Sequence, residues 1–233
     1  MKIPVALLLF ALICGVVNSI PIDISTAAVP LTGSVGASLS LLGNNEIAAM
    51  DVVMVVPLKP STNAGSFFAW AGIQPSEGSQ FLRSSLSYNP SCNAAGNSAL
   101  ETPTVASEYI DGSMTCQRTN PLSVSPGQEI YIQFRKSNSV WSVYATNMAT
   151  SETSTISMDL QNVPQRIASL GLQIPDGMVA SGDVIFKNWV IQSLLPDPNL
   201  CQNMQFSRNT ICSASQVYEG NLQCALTNCV VKL

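Results

Sequence analysis

The sequence predicts an all-β antiparallel sandwich followed by a small disulfide-rich C-terminal tail. Three observations carry that expectation: short β-prone runs separated by turn residues, apolar alternation with a period of two within several of them, and four cysteines gathered near the C-terminus.

Along the chain, Met1 and Lys2 precede an apolar run over residues 5–13, with Gly15, Asn18 and Ser19 after it. A basic start, a short apolar stretch and small residues are the pattern of an export signal, so residues 1–19 are expected to be a signal peptide cleaved after Ser19. The run is shorter than the roughly 20 residues that span a bilayer. Ile13 stands before Cys14 where a lipid-attachment site wants a small residue, and the C-terminal residues lack the apolar tail of a GPI signal. The expectation is a secreted, extracellular protein with no stable membrane insertion after cleavage. Residues 20–45, rich in Ser, Thr, Gly and Pro, are expected to be a leader or an edge segment.

Residues 46–195 are expected to form the sandwich domain. Its β-prone runs fall at residues 50–56, 67–73, 81–88, 129–134, 140–144, 153–160 and 184–191. Ile130, Ile132 and Phe134 would face one side and Tyr131, Gln133 and Arg135 the other, the period of a half-buried antiparallel strand. Helical character is confined to residues 163–172. Many short strands with turns between them argue two packed sheets, and about 150 residues suffice for a sizeable core. The prolines of Leu195-Pro196-Asp197-Pro198 mark the start of a Cys-rich tail, residues 196–233.

With the signal removed, the cysteines are Cys92, Cys116, Cys201, Cys212, Cys224 and Cys229. An even set in an exported chain reads as disulfides. The four in the tail allow three connectivities, which leaves Cys92 to pair with Cys116 by elimination. The chain has no histidine. That excludes Ser-His-Asp hydrolysis, Cys-His proteolysis and His-ligated metal catalysis, and neither a metal site nor a cofactor is expected. Charged residues make up only 10% of the chain, its formal net charge is −4, and no basic cluster occurs. Nucleic-acid binding is therefore disfavoured. The one Asn-x-Ser candidate, Asn89-Pro90-Ser91, is blocked by its proline.

Several motifs in order carry a family resemblance: Phe68-Ala69-Trp70-Ala71-Gly72-Ile73-Gln74-Pro75; Phe81-Leu82-Arg83-Ser84-Ser85-Leu86-Ser87-Tyr88 with Pro90-Ser91-Cys92; Ser107-Glu108-Tyr109-Ile110; Val124-Ser125-Pro126-Gly127-Gln128-Glu129-Ile130; then Trp141 and Asn147. Over roughly residues 48–192 the chain resembles secreted concanavalin A-like sandwich proteins of fungal type, a jelly-roll arrangement, and more distantly the eqolisins, the acid glutamic peptidases. The eqolisin resemblance implies a glutamine on the strand after the Trp-x-Gly-Ile segment and a glutamate on the strand after that. In such a pair the carboxyl group shuttles a proton while the amide orients the attacking water and supports the oxyanion. The glutamate position falls on Glu108, the one candidate catalytic residue, and the glutamine position on Arg83. A guanidinium there would hold the carboxylate ionised, so the pair is expected to be a salt bridge.

Three functions follow as expectations. The first is a noncatalytic extracellular binding or matrix protein on a peptidase-like sandwich, the second an acid glutamic-type endopeptidase using Glu108, and the third a glycan-binding or glycan-active protein. Trp70, Trp141 and Trp189 read as core pillars. Gln74, Tyr88 and Tyr109 are the candidate binding residues, with Tyr131 a further ring for a concave face. The partner expected is an extracellular polypeptide or carbohydrate.

Overall fold

The computed structural model describes residues 34–59, 67–77, 80–88, 102–111, 116–173 and 182–232. The expected signal peptide and Cys92 lie outside them. In chain order the strands are β1 (Ser34–Ser40), β2 (Ile47–Val55), β3 (Phe68–Gln74), β4 (Phe81–Ser87), β5 (Thr104–Ile110), β6 (Cys116–Arg118), β7 (Leu122–Ser123) and β8 (Glu129–Ser137). They continue as β9 (Val140–Asn147), β10 (Thr153–Asp159), β11 (Ile167–Gln173), β12 (Val184–Ser193), β13 (Met204–Phe206), β14 (Thr210–Cys212), β15 (Gln216–Tyr218) and β16 (Gln223–Val231). One short 3-10 turn, Leu200–Asn203, precedes β13.

Two antiparallel sheets result. The first runs β13-β1-β11-β3-β4-β5-β6, with β7 also on β5. The second runs β10-β9-β8-β2-β12-β16-β14, with β15 also on β16. The expected alternation in β8 is present: Ile130, Ile132 and Phe134 are fully buried and face their β2 partners Met54, Val52 and Met50. Opposite them, Leu82, Leu86, Val105, Ala168 and Leu170 of the first sheet join the same apolar cluster, so the core is the layer between the sheets. The β8–β9 hairpin turns through Asn138 at φ 56°, a left-handed conformation that asparagine tolerates.

One segment differs from expectation. Residues 163–172 were expected to be helical, yet Ile167–Gln173 is strand β11 between β1 and β3. Ala168, Leu170 and Leu172 alternate inward and Ser169 and Gly171 outward, so pairing on both sides overrides a weak helical tendency. Within the 20–45 segment, Ser34–Ser40 is a paired strand with neighbours on both sides, β11 and β13. The Cys-rich segment after residue 195 extends both sheets: β13 lies along β1, and β16 lies along β12. Cys224, Leu226, Cys229 and Val231 of β16 enter the main core, and the bonds are Cys201–Cys224 and Cys212–Cys229.

Tyr88, just beyond β4, is part of this core. Its ring meets Phe67 edge-on at 5.7 Å and its hydroxyl donates to the Pro57 carbonyl at 2.8 Å. Burial pushes its pKa up to about 12. The unfolded chain releases this proton near pH ~10, whereas the folded chain keeps it to about 12. Stability tied to this group is thus intact below about pH 10 and is lost as pH rises toward about 12. Alkaline unfolding followed by circular dichroism is expected to show that fall. Tyr88→Phe should flatten it, while costing about 1 kcal/mol at neutral pH for the lost hydrogen bond. An unchanged alkaline limb in the variant would contradict the assignment.

Candidate functional site

The outer face of the first sheet is built by strand parity. Gly72, Arg83, Glu108 and Arg118 are successive register partners across β3, β4, β5 and β6, so one row of the sheet carries all four. Trp70, Ser85 and Ala106 form the next row, and Phe68, Ser87 and Thr104 the one after. Direct cross-strand neighbours of this kind have Cβ atoms about 5 Å apart.

Two glycines leave room for the aromatic rings on this face. A Cβ on Gly171 would lie 2.1 Å from the Trp70 indole, and one on Gly72 would lie 2.5 Å from the Phe81 ring. Trp70 and Phe81 pack edge-on at 6.5 Å, and the Arg83 guanidinium carbon sits 5.8 Å from the Trp70 ring centre and 5.7 Å from that of Phe81. Cation–π attraction adds to the hold on Arg83.

Between the guanidiniums lies Glu108. Arg83 Nε donates to Glu108 Oε2 at 2.8 Å, and Arg118 Nε lies 3.4 Å from Oε1. The three side chains are screened from water, with 4%, 0% and 11% of the Arg83, Glu108 and Arg118 side chains exposed. Burial lowers the pKa of Arg118; the negative charge of Glu108 works against that and the positive charge of Arg83 adds to it. Arg118 Nη2 reaches along β5 to Thr104 Oγ1 at 3.4 Å. The result is a buried arginine–glutamate–arginine triad, with the salt bridge expected of Arg83 and Glu108 and a second cation that sequence reasoning missed. Arg118 stands two residues after Cys116, which is the only sequence hint that it shares a face with the rest.

The other candidate residues are dispersed. Gln74 lies at the end of β3 on the outer face, with its backbone carbonyl accepting from Arg166 N at 2.9 Å. Tyr88 and Tyr109 face the other way, into the core between the sheets, because odd spacing from Arg83 and Glu108 reverses the side of the strand. Burial, and then the charge of Asp111, raises the Tyr109 pKa. Tyr131 is on the second sheet, donating to Asp51 Oδ1 at 2.8 Å beside Arg135. A concave surface shared by the three tyrosines therefore does not form. Trp141 and Trp189 are core pillars as expected, whereas Trp70 belongs to the small outer cluster with Phe68, Phe81, Ile110 and Cys116.

Among the described residues, no group of three or more His, Cys, Asp or Glu side chains could hold a metal ion, and no helix is long and apolar enough to cross a membrane. Cys116 is disulfide-bonded.

No family model matches the chain, and no curated protein sequence matches it. Among solved structures, the fold is similar to that of scytalido-glutamic peptidase bound to a peptide-based transition-state analogue, with a TM-score of 0.56 at 13% identity over 84% of this chain and 98% of that one. It is also similar to SCP-B, a member of the eqolisin family of peptidases in complex with the tripeptide Ala-Ile-His, with a TM-score of 0.51 at 13% identity and the same coverage. At this identity the likeness is one of fold: an eqolisin-type sandwich.

Proposed function

We propose that this chain is a noncatalytic binding protein, exported from the cell, on a sandwich of the glutamic-peptidase type. The observation that carries the reading is the Glu108 carboxylate held between Arg83 and Arg118. A general acid must give up and regain a proton near its working pH. A carboxylate facing two guanidiniums is stabilised in the ionised form instead.

The partner group matters as much as the charge. A glutamine beside the glutamate offers both a carbonyl acceptor and N–H donors, so it can orient a water and support an oxyanion. A guanidinium offers donors alone. Arg83 stands directly opposite Glu108 on the neighbouring strand, so a guanidinium and not an amide is the group that meets the carboxylate. Export is supported by the two bonds Cys201–Cys224 and Cys212–Cys229, since structural disulfides persist in oxidising compartments, and by the leader expected over residues 1–19. Acid digestion of an unfolded protein tests the proposal: cleavage that depends on Glu108 would overturn it.

A further inference from the structure

The floor of the outer face beside the triad is lined by small side chains, Ser85 and Ser87 on β4 and Ala106 on β5. Ser85 and Ser87 are fully buried, yet neither hydroxyl has a hydrogen-bond partner among the described residues, and Arg83 Nη2 has none either. Buried polar groups are normally paired, and each one left alone costs about 1–3 kcal/mol. Three such groups on one stretch of one strand face are an unmet demand for acceptors. Arg83 stands at one end of the strip, Trp70 alongside Ser85, and the Arg118 guanidinium reaches past Ala106 to Thr104 on the other side.

Charge selects the acceptor. Among the described residues, two guanidiniums against one carboxylate leave the strip with a single excess positive charge. A monoanion neutralises it, and in a site screened from water its hydrogen bonds are charge-assisted and strong. We infer that the strip over Ser85, Ser87 and Ala106 is a carboxylate-binding site, with Arg83 Nη2 and the two serine hydroxyls donating to the ligand's oxygens. This deepens the noncatalytic reading and rests on it, because Glu108 must remain the arginines' fixed partner for the excess charge to be one.

The test uses acetate as probe and acetamide as its neutral isostere, titrated into the folded protein at constant ionic strength by thermal shift and calorimetry. Acetate is expected to bind saturably and raise the melting temperature, and acetamide to do neither. Ser85→Ala/Ser87→Ala should leave the unliganded protein as stable as wild type or more so, since it removes unpaired polar groups. It should weaken acetate by at least about ten-fold, since both hydroxyl hydrogen bonds to the charged group are lost. Equal responses to acetate and acetamide, or undiminished acetate affinity in the double variant, would overturn the inference. Peptidase activity by the wild type would instead overturn the noncatalytic reading and is scored separately from acetate binding.

Discussion

Replacing Glu108 by alanine is expected to lower the unfolding free energy by about 3–5 kcal/mol, because it strips the shared counter-charge from two buried guanidiniums. Arg83 and Arg118 then face one another across the vacated row, with burial already working against the charge of Arg118. Glu108→Gln keeps the shape and two hydrogen-bonding atoms but not the charge, so its cost should be smaller and still well above 1 kcal/mol. Replacing the triad together, Arg83→Met, Glu108→Leu and Arg118→Met, should restore most of what Glu108→Ala loses, as apolar side chains of similar volume need no partner. Urea unfolding of the four proteins measures this. A Glu108→Ala cost below about 1 kcal/mol, typical of exposed ion pairs, would show that the triad is not the buried unit described.

The second large effect is that of the two bonds in the C-terminal segment. Cys201–Cys224 and Cys212–Cys229 close loops of 23 and 17 residues. Chain entropy gives about 3 kcal/mol for each, or roughly 6–12 °C in melting temperature for a chain of this size. The consequence extends beyond the segment itself, because β13 borders β1 in one sheet and β16 borders β12 in the other. Cys201→Ala/Cys224→Ala and Cys212→Ala/Cys229→Ala should therefore expose both sheet edges, seen as faster amide exchange in β1 and β12. Peptide mapping without reductant should recover both bonds, with Cys92–Cys116 as the third. Exchange changes confined to residues 196–232 would instead mark the segment as a separate module.

How far the sequence reaches is seen in these same elements. The strands whose apolar residues alternate without interruption, β8 and β9, are legible because one face is buried against a partner sheet and the other meets water. The meeting of Arg83 and Glu108 is legible through the eqolisin resemblance, which puts the two on neighbouring strands, and the register pairs them directly. Arg118 is not, because β6 is three residues long and its place opposite Glu108 is set by a long-range pairing. β11 is obscured because Ser169 and Gly171 face the outer row rather than open water, so its polar positions carry no charge to mark the alternation. In β16 the alternation breaks at the exposed Thr227 and Asn228, where Asn228 pairs with Lys187 next to Asn188 at φ 50°, which hides a strand that joins the main sheet. The inward tyrosines follow from parity: Tyr88 is five residues from Arg83, and Tyr109 is adjacent to Glu108.

The claim that Glu108 is a held counter-ion and not a proton shuttle is tested most directly by acid proteolysis. Wild type and Glu108→Gln, each confirmed folded by circular dichroism, are incubated with an unfolded protein substrate from about pH 2 to 5, spanning the ordinary carboxyl range. Glu108→Gln is the control of choice because it keeps the side-chain shape where Glu108→Ala risks unfolding. The expected result is that both leave the substrate intact to the same background level at every pH at which they are folded. Cleavage by the wild type that disappears in folded Glu108→Gln would contradict the account.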